Sequence, residues 1–164
     1  AVENLMIVNS IVSWFPSPTA TSYRVAICVE PSLSVWDQIY SGESTQVPVP
    51  LPQTGGIAVR VQAHNDAGLS DPSFTQKVIS LTTPSNLSYG SGELSWSLVD
   101  WANGYYVEES TNQQEWTEIW NQNTGSMPLT LQSGTWFYRV RAGYGGVFSG
   151  YSDVLEIDGN QVGG

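Results

Sequence analysis

Apolar residues recur at every second position through several short runs of the chain. Tyr23, Val25, Ile27 and Val29 alternate with Arg24, Ala26, Cys28 and Glu30. Val47, Val49 and Leu51 alternate with Pro48 and Pro50, and Met127, Leu129 and Leu131 keep the same phase. A period of two puts one set of side chains on one face of a strand, and the Gly, Pro, Asn and Ser clusters between runs read as turns. No segment of ten or more residues carries a helical stripe. The pattern predicts an all-β protein of short antiparallel strands packed as a sandwich.

The pattern occurs twice. Asn4-Leu5 and Trp14 recur as Asn86-Leu87 and Trp96, and Tyr23-Arg24-Val25 as Tyr105-Tyr106-Val107, all 82 positions on. Trp36-Asp37-Gln38-Ile39-Tyr40 returns 80 positions on as Trp116-Thr117-Glu118-Ile119-Trp120, and Val59-Arg60-Val61-Gln62-Ala63 returns 79 on as Tyr138-Arg139-Val140-Arg141-Ala142. The drifting offset places small deletions in loops, where they are tolerated. The reading is therefore two domains, 1–81 and 82–158, followed by a tail, 159–164. Thr82-Thr83-Pro84 joins the copies without a flexible Gly/Ser stretch.

Each copy resembles a fibronectin type III domain over nearly its whole length. The resemblance rests on a Trp on the second strand (Val12-Ser13-Trp14, Leu94-Ser95-Trp96), a Tyr on the third, and the sixth-strand runs just quoted. Copy one adds Ala67-Gly68-Leu69-Ser70-Asp71-Pro72-Ser73, close to the family's ending. It implies two immunoglobulin-like, seven-stranded β-sandwiches in tandem, of the kind carried by bacterial and phage proteins. Disulfide-linked immunoglobulin domains are the rival, disfavoured because Cys28 is the only cysteine; it is read as a small hydrophobe on a strand.

Leu51-Pro52-Gln53-Thr54-Gly55 reads like a cell-wall sorting signal, yet it lies in the first half of the chain, and the resemblance assigns it to the turn before the sixth strand. Pro and Gly there set turn dihedrals. The family's corner Tyr falls at Ile57 and Trp136, so a hydroxyl-capped corner is lost in both copies and packing must hold those turns.

Charge narrows the function. Fifteen acids against five bases give a net charge of −10, which opposes nucleic acid and anionic membranes. The longest apolar run, Val25–Val29, is far short of the ~20 residues of a transmembrane helix, so no membrane insertion is expected. His64 is the only histidine and sits at a strand end in the phase facing solvent. With no second histidine, no phosphate-cradling loop and no calcium-loop spacing, no catalytic residue, metal site or cofactor is expected. Glu108, Glu109, Glu115 and Glu118 are read as a solvated acidic face. The single sequon, Asn86-Leu87-Ser88, is expected on a strand.

Two loops of copy two carry aromatics beside small polar residues: Val99-Asp100-Trp101-Ala102-Asn103 and Gly143-Tyr144-Gly145-Gly146-Val147-Phe148. Trp101, Tyr144, Phe148 and Asp100 are the ligand-binding candidates, because aromatics give large contact area at low entropic cost. Interdomain packing of Trp101 and Tyr144 against Leu51, Pro52 and Gln53, or packing within the second domain, competes with that reading. The expectation is a stiff, acidic, non-catalytic extracellular spacer on a cell or virion surface. Its alternative is an adhesion module for a protein or polysaccharide surface, including an accessory domain of a polysaccharide-degrading enzyme.

Overall fold

A computed structural model describes residues 1–52 and 54–161; Gln53 and residues 162–164, with the readings that fall on them, lie outside the described residues. The described residues form strands and no helix, in two units, Ala1–Ser80 and Leu81–Gly164. In the first, β1 (Met6–Val8), β2 (Ile11–Ser13) and β5 (Gln46–Pro48) make one antiparallel sheet. β3 (Ser22–Cys28), β4 (Asp37–Gly42) and β6 (Gly55–Asn65) build the other, and β6 also pairs with β7 (Gly68–Leu69) and β8 (Gln76–Ser80). The second unit repeats this with β9 (Ser88–Gly90), β10 (Glu93–Ser95) and β13 (Ser126–Pro128) against β11 (Gly104–Ser110), β12 (Thr117–Gln122) and β14 (Thr135–Tyr144). β15 (Val147–Phe148) and β16 (Leu155–Asp158) pair with β14. Since β7 with β8, and β15 with β16, are halves of one interrupted strand, each unit is a seven-stranded sandwich.

Alternation fills each core. Val12, Trp14, Tyr23, Val25, Val47, Val59 and Val61 are buried in the first, and Leu94, Trp96, Tyr105, Val107, Met127, Tyr138 and Val140 in the second. The two motif aromatics touch in both: Trp14 and Tyr23 lie 5.4 Å apart edge to face, and Trp96 and Tyr105 6.0 Å apart. Each tyrosine hydroxyl then accepts a bond from the β2–β3 or β10–β11 loop, from the Ser17 amide at 2.8 Å and the Val99 amide at 2.6 Å.

The interruption of the last strand has a side-chain cause. Where it leaves β6, Ser70 and Ser73 bond to Ala63 and Val61 with both backbone and hydroxyl: Ser70 N–H donates to Ala63 C=O (2.8 Å), and Ala63 N–H donates to Ser70 Oγ (3.0 Å). Val61 N–H donates likewise to Ser73 Oγ (2.9 Å). In the second unit Ser149 and Ser152 take the amides of Ala142 (2.8 Å) and Val140 (3.0 Å). The hydroxyls thus replace the ladder bonds that buried amides require.

Several expectations change. Leu81, read into copy one, packs against the second core. In the expected tail, Gly159 N–H donates to Gly134 C=O at 2.9 Å and Asn160 Oδ1 accepts from the Gly134 amide. The LPQTG turn is shorter than read, because Gly55 and Gly56 already pair with Ser80 and Ile79 in β6. Gly55 has φ +83° and its counterpart Gly134 +90°, which glycine alone adopts freely. Ile57 is buried in the core, whereas the Trp136 indole N–H donates to Ser133 C=O at 3.3 Å, an indole in the role of the lost tyrosine hydroxyl. Cys28 is buried and Val29 is 61% exposed, the reverse of simple alternation, since β3 ends at Cys28 beside buried Ala58. Asn86 precedes β9 rather than lying on it; like Asn4 it is left-handed (φ +58° and +54°), a conformation asparagine tolerates.

Candidate functional site

The outward positions of β11 and β14 in the second domain carry a stack that sequence reading missed. Arg139 and Arg141 are two apart on β14, so both leave the sheet on the face opposite Val140. Register sets Glu108 beside Arg139 and Tyr106 beside Arg141. Arg139 Nη2 lies 2.7 Å from Glu108 Oε1, and Arg139 Nε donates to the same oxygen at 2.8 Å. The Arg139 guanidinium sits 4.1 Å from the Trp116 ring centre and 3.8 Å from that of Tyr151. The Arg141 guanidinium is 5.0 Å from Tyr151 and 4.0 Å from Phe148, whose ring meets Tyr106 edge to face at 5.3 Å. Aromatic and cation thus alternate from Trp116 through Arg139, Tyr151 and Arg141 to Phe148.

Local structure aims each member. Gln113 is left-handed (φ +60°), which turns its carbonyl to accept the Trp116 indole N–H at 3.2 Å and lays the ring over Arg139. Leu33 does the same for Trp36 at 3.0 Å, and Trp36 lies 4.2 Å from Arg60. Gly143 makes room at the other end, where a Cβ would come within 2.8 Å of Tyr106 and 3.3 Å of Phe148. Copy one holds only the first rung. At the positions of Tyr106, Arg141, Phe148 and Tyr151 it has Arg24, Gln62, Leu69 and Pro72. Burial, with Glu108 alongside, raises the Tyr151 hydroxyl pKa.

Glu108 and Glu109 therefore do not belong to a solvated acidic face. Glu109 shares the inward phase of Tyr105 and Val107 and pairs with Tyr138, so burial raises its carboxyl pKa. That contribution favours the fold below the ordinary carboxylate range and is lost as pH rises through the raised value. Tyr138 is 0% exposed and its hydroxyl is among the buried polar atoms without a hydrogen-bond partner. Burial first, then Glu109 and Tyr89, push its pKa up to about 12. Copy one has Ile7, Ile27 and Val59 at the places of Tyr89, Glu109 and Tyr138. Tyr138→Phe is accordingly expected to stabilise the second domain at pH 7 by about 1 kcal/mol, because it removes an unsatisfied buried hydroxyl. It should also reduce the loss of stability between pH 10 and about 12 that a raised tyrosine pKa produces. Urea unfolding at both pH values measures this, and a destabilised variant at pH 7 would reveal a partner for the hydroxyl.

The four ligand candidates do not form one group. Trp101 and Tyr144 meet edge to face at 5.7 Å, but Phe148 belongs to the arginine stack. Trp101 is 8% exposed and left-handed (φ +72°), which a bulky residue adopts only where its surroundings impose it. Tyr144 is half-buried; Asp100 is exposed and Phe148 44% exposed. Of the residues matched with Trp101 and Tyr144 above, Leu51 is exposed, Pro52 half-buried, and Gln53 lies outside the described residues. His64 is half-buried, its Nδ1 3.4 Å from Ser22 Oγ. Among the described residues no three His, Cys, Asp or Glu side chains gather as for a metal ion.

No protein-family model and no curated protein matches this sequence. Solved structures do. A two-domain fibronectin type III segment of chicken tenascin is similar over 96% of this chain and 98% of its own, with a TM-score of 0.50 at 14% identity. The FN1–FN3 domains of chicken CNTN1 match over 96% of this chain and 64% of theirs, with a TM-score of 0.41 at 18% identity. The fold is that of two fibronectin type III domains in tandem.

Proposed function

We propose that this chain is a non-catalytic structural module, a spacer within a larger surface, fibre or secreted assembly, working outside the cell or on a cell or virion surface. One observation supports this most. The side chains of the second domain best suited to recognition are engaged within it: Arg139 and Arg141, its only bases, lie between aromatic rings, and Trp101 is buried with its ring on Tyr144. Groups stacked this way stiffen a sheet, and Arg keeps its charge while doing so. Fold alone does not carry function, so the reading stands on this use of residues.

Exposed Phe148 and Asp100 favour a second reading, adhesion to a protein or polysaccharide surface. Incubating the full chain with insoluble polysaccharides and whole bacterial surfaces at moderate salt separates the two. The spacer reading expects no specific retention. Retention that Asp100→Ala abolishes, with Tm unchanged, would overturn it in favour of adhesion.

A further inference from the structure

The two loop regions that plug the end of the second domain leave a cleft in the first. Both β2–β3 and β10–β11 loops have the same length and the same bonds. Ala20 N–H donates to Ser17 C=O as Ala102 N–H does to Val99 C=O, and Thr21 N–H donates to His64 C=O as Asn103 N–H does to Gly143 C=O. Within these bonds the turns differ at one residue, Trp101 being left-handed (φ +72°) where Thr19 is not, and the second domain places Trp101 against Tyr144. The first has Thr19 and Asn65 at those positions, tied by a 3.2 Å bond from Asn65 Nδ2 to Thr19 C=O. There an open cleft of about 580 Å³ lies between the loops, lined among others by Phe15, Pro16, Thr19, His64, Asn65 and Leu69. Phe15 is 56% and Leu69 43% exposed.

We propose that this cleft receives an aromatic side chain, Trp or Tyr, from a loop or peptide of a partner protein. In the molecule's other copy an indole and a phenol occupy the matching positions, the indole on a left-handed residue, so the same pair of loops holds aromatic rings there. Aromatic anchors seated in a preformed pocket are what dominates protein interfaces. The loops are preformed, because they are bonded to each other and Ser17 N–H donates to the buried Tyr23 hydroxyl. Charge narrows the partner further. Glu3 lines the cleft with no lysine or arginine side chain among its lining residues, which include Ala1 with its amino group, and exposed Asp66 stands on the β6–β7 turn. A basic residue beside the aromatic complements both.

The proposal goes beyond a spacer by giving the first domain an attachment point, and it is tested apart from the surface-retention assay. The full chain, labelled with 15N, is titrated with acetyl-GKWYKG-amide and with acetyl-GKLSKG-amide as control. Expected are saturable shifts confined to the amides of residues 15–21 and 64–70 with the aromatic peptide only. Phe15→Ala, at an exposed position, should weaken binding about tenfold or more with Tm unchanged, and Asn65→Tyr, which adds the ring copy two carries there and gives up the Asn65 bonds to Thr19 C=O and the Ala67 amide, should weaken it as much. No shift at about 2 mM peptide, equal shifts with the control, or binding indifferent to both variants would each overturn the proposal. Shifts of these amides with cello- or chito-oligosaccharides but not with the aromatic peptide would overturn it in favour of a saccharide.

Discussion

Replacing Ser149 and Ser152 together by alanine is expected to destabilise the second domain by about 2–6 kcal/mol, the sum of two buried amides left unsatisfied at about 1–3 kcal/mol each. The amides are those of Ala142 and Val140, both 0% exposed, and each donates to a serine Oγ, at 2.8 and 3.0 Å. The serines' own N–H groups keep their bonds to Ala142 and Val140 C=O, so the loss falls on the hydroxyls alone. Against a typical domain stability of about 5–15 kcal/mol, this removes a large share. The melting transition of the second domain should fall by roughly 10–50 °C, given about 4–8 °C per kcal/mol for domains this small. Ser152→Thr, which keeps an Oγ, should restore much of the loss. Urea unfolding with hydrogen exchange at Val140 and Ala142 reads both effects. A double variant within about 1 kcal/mol of the parent would mean that water replaces the hydroxyls.

Much of this fold was legible because its signals are local or periodic. Alternation, the repeat, and the Trp and Tyr of each copy gave two sandwiches, and Trp14 with Tyr23 and Trp96 with Tyr105 meet in the cores. The arginine stack was harder, since its members come from the β11–β12 loop, β14, β15 and the gap between β15 and β16. Part of its signal was present: Tyr138-Arg139-Val140-Arg141 puts both arginines on one outward face. What the sequence hides is the left-handed turn at Gln113 that brings Trp116 over them. Glu109 was misread for the opposite reason. Its charge suggested solvent, yet its phase with Tyr105 and Val107 already pointed inward. For Trp101 the sequence leaves ligand contact, interdomain packing and packing within the domain open, and the second loop supplies Tyr144 to pack on it. A sequence pattern reports which face a strand residue takes more readily than which loop side chains find each other.

The arginine stack yields the second large effect, and the first domain is its control. Arg139→Ala removes two aromatic contacts at about 0.5–1 kcal/mol each and leaves Glu108, 17% exposed, without its cation. A carboxylate left unpaired in such a place costs more than a surface ion pair contributes. The expected loss is about 2–4 kcal/mol. Arg60→Ala removes the equivalent guanidinium from Trp36 alone, and Ala26 stands where Glu108 would be, so the first domain should lose only about 0.5–1 kcal/mol. Arg139→Lys should fall between, since an ammonium keeps the charge but neither stacks flat between Trp116 and Tyr151 nor presents the planar fork of donors. A double-mutant cycle of Arg139→Ala with Glu108→Gln separates the ion pair from the stacking. If the ion pair dominates, removing Glu108 recovers most of the loss; if the rings dominate, it recovers little. Equal losses for Arg139→Ala and Arg60→Ala would show that the longer stack adds nothing to the single rung. A difference of the expected size would mean that the second domain's only two bases serve its rigidity first, leaving its outward charge almost wholly acidic.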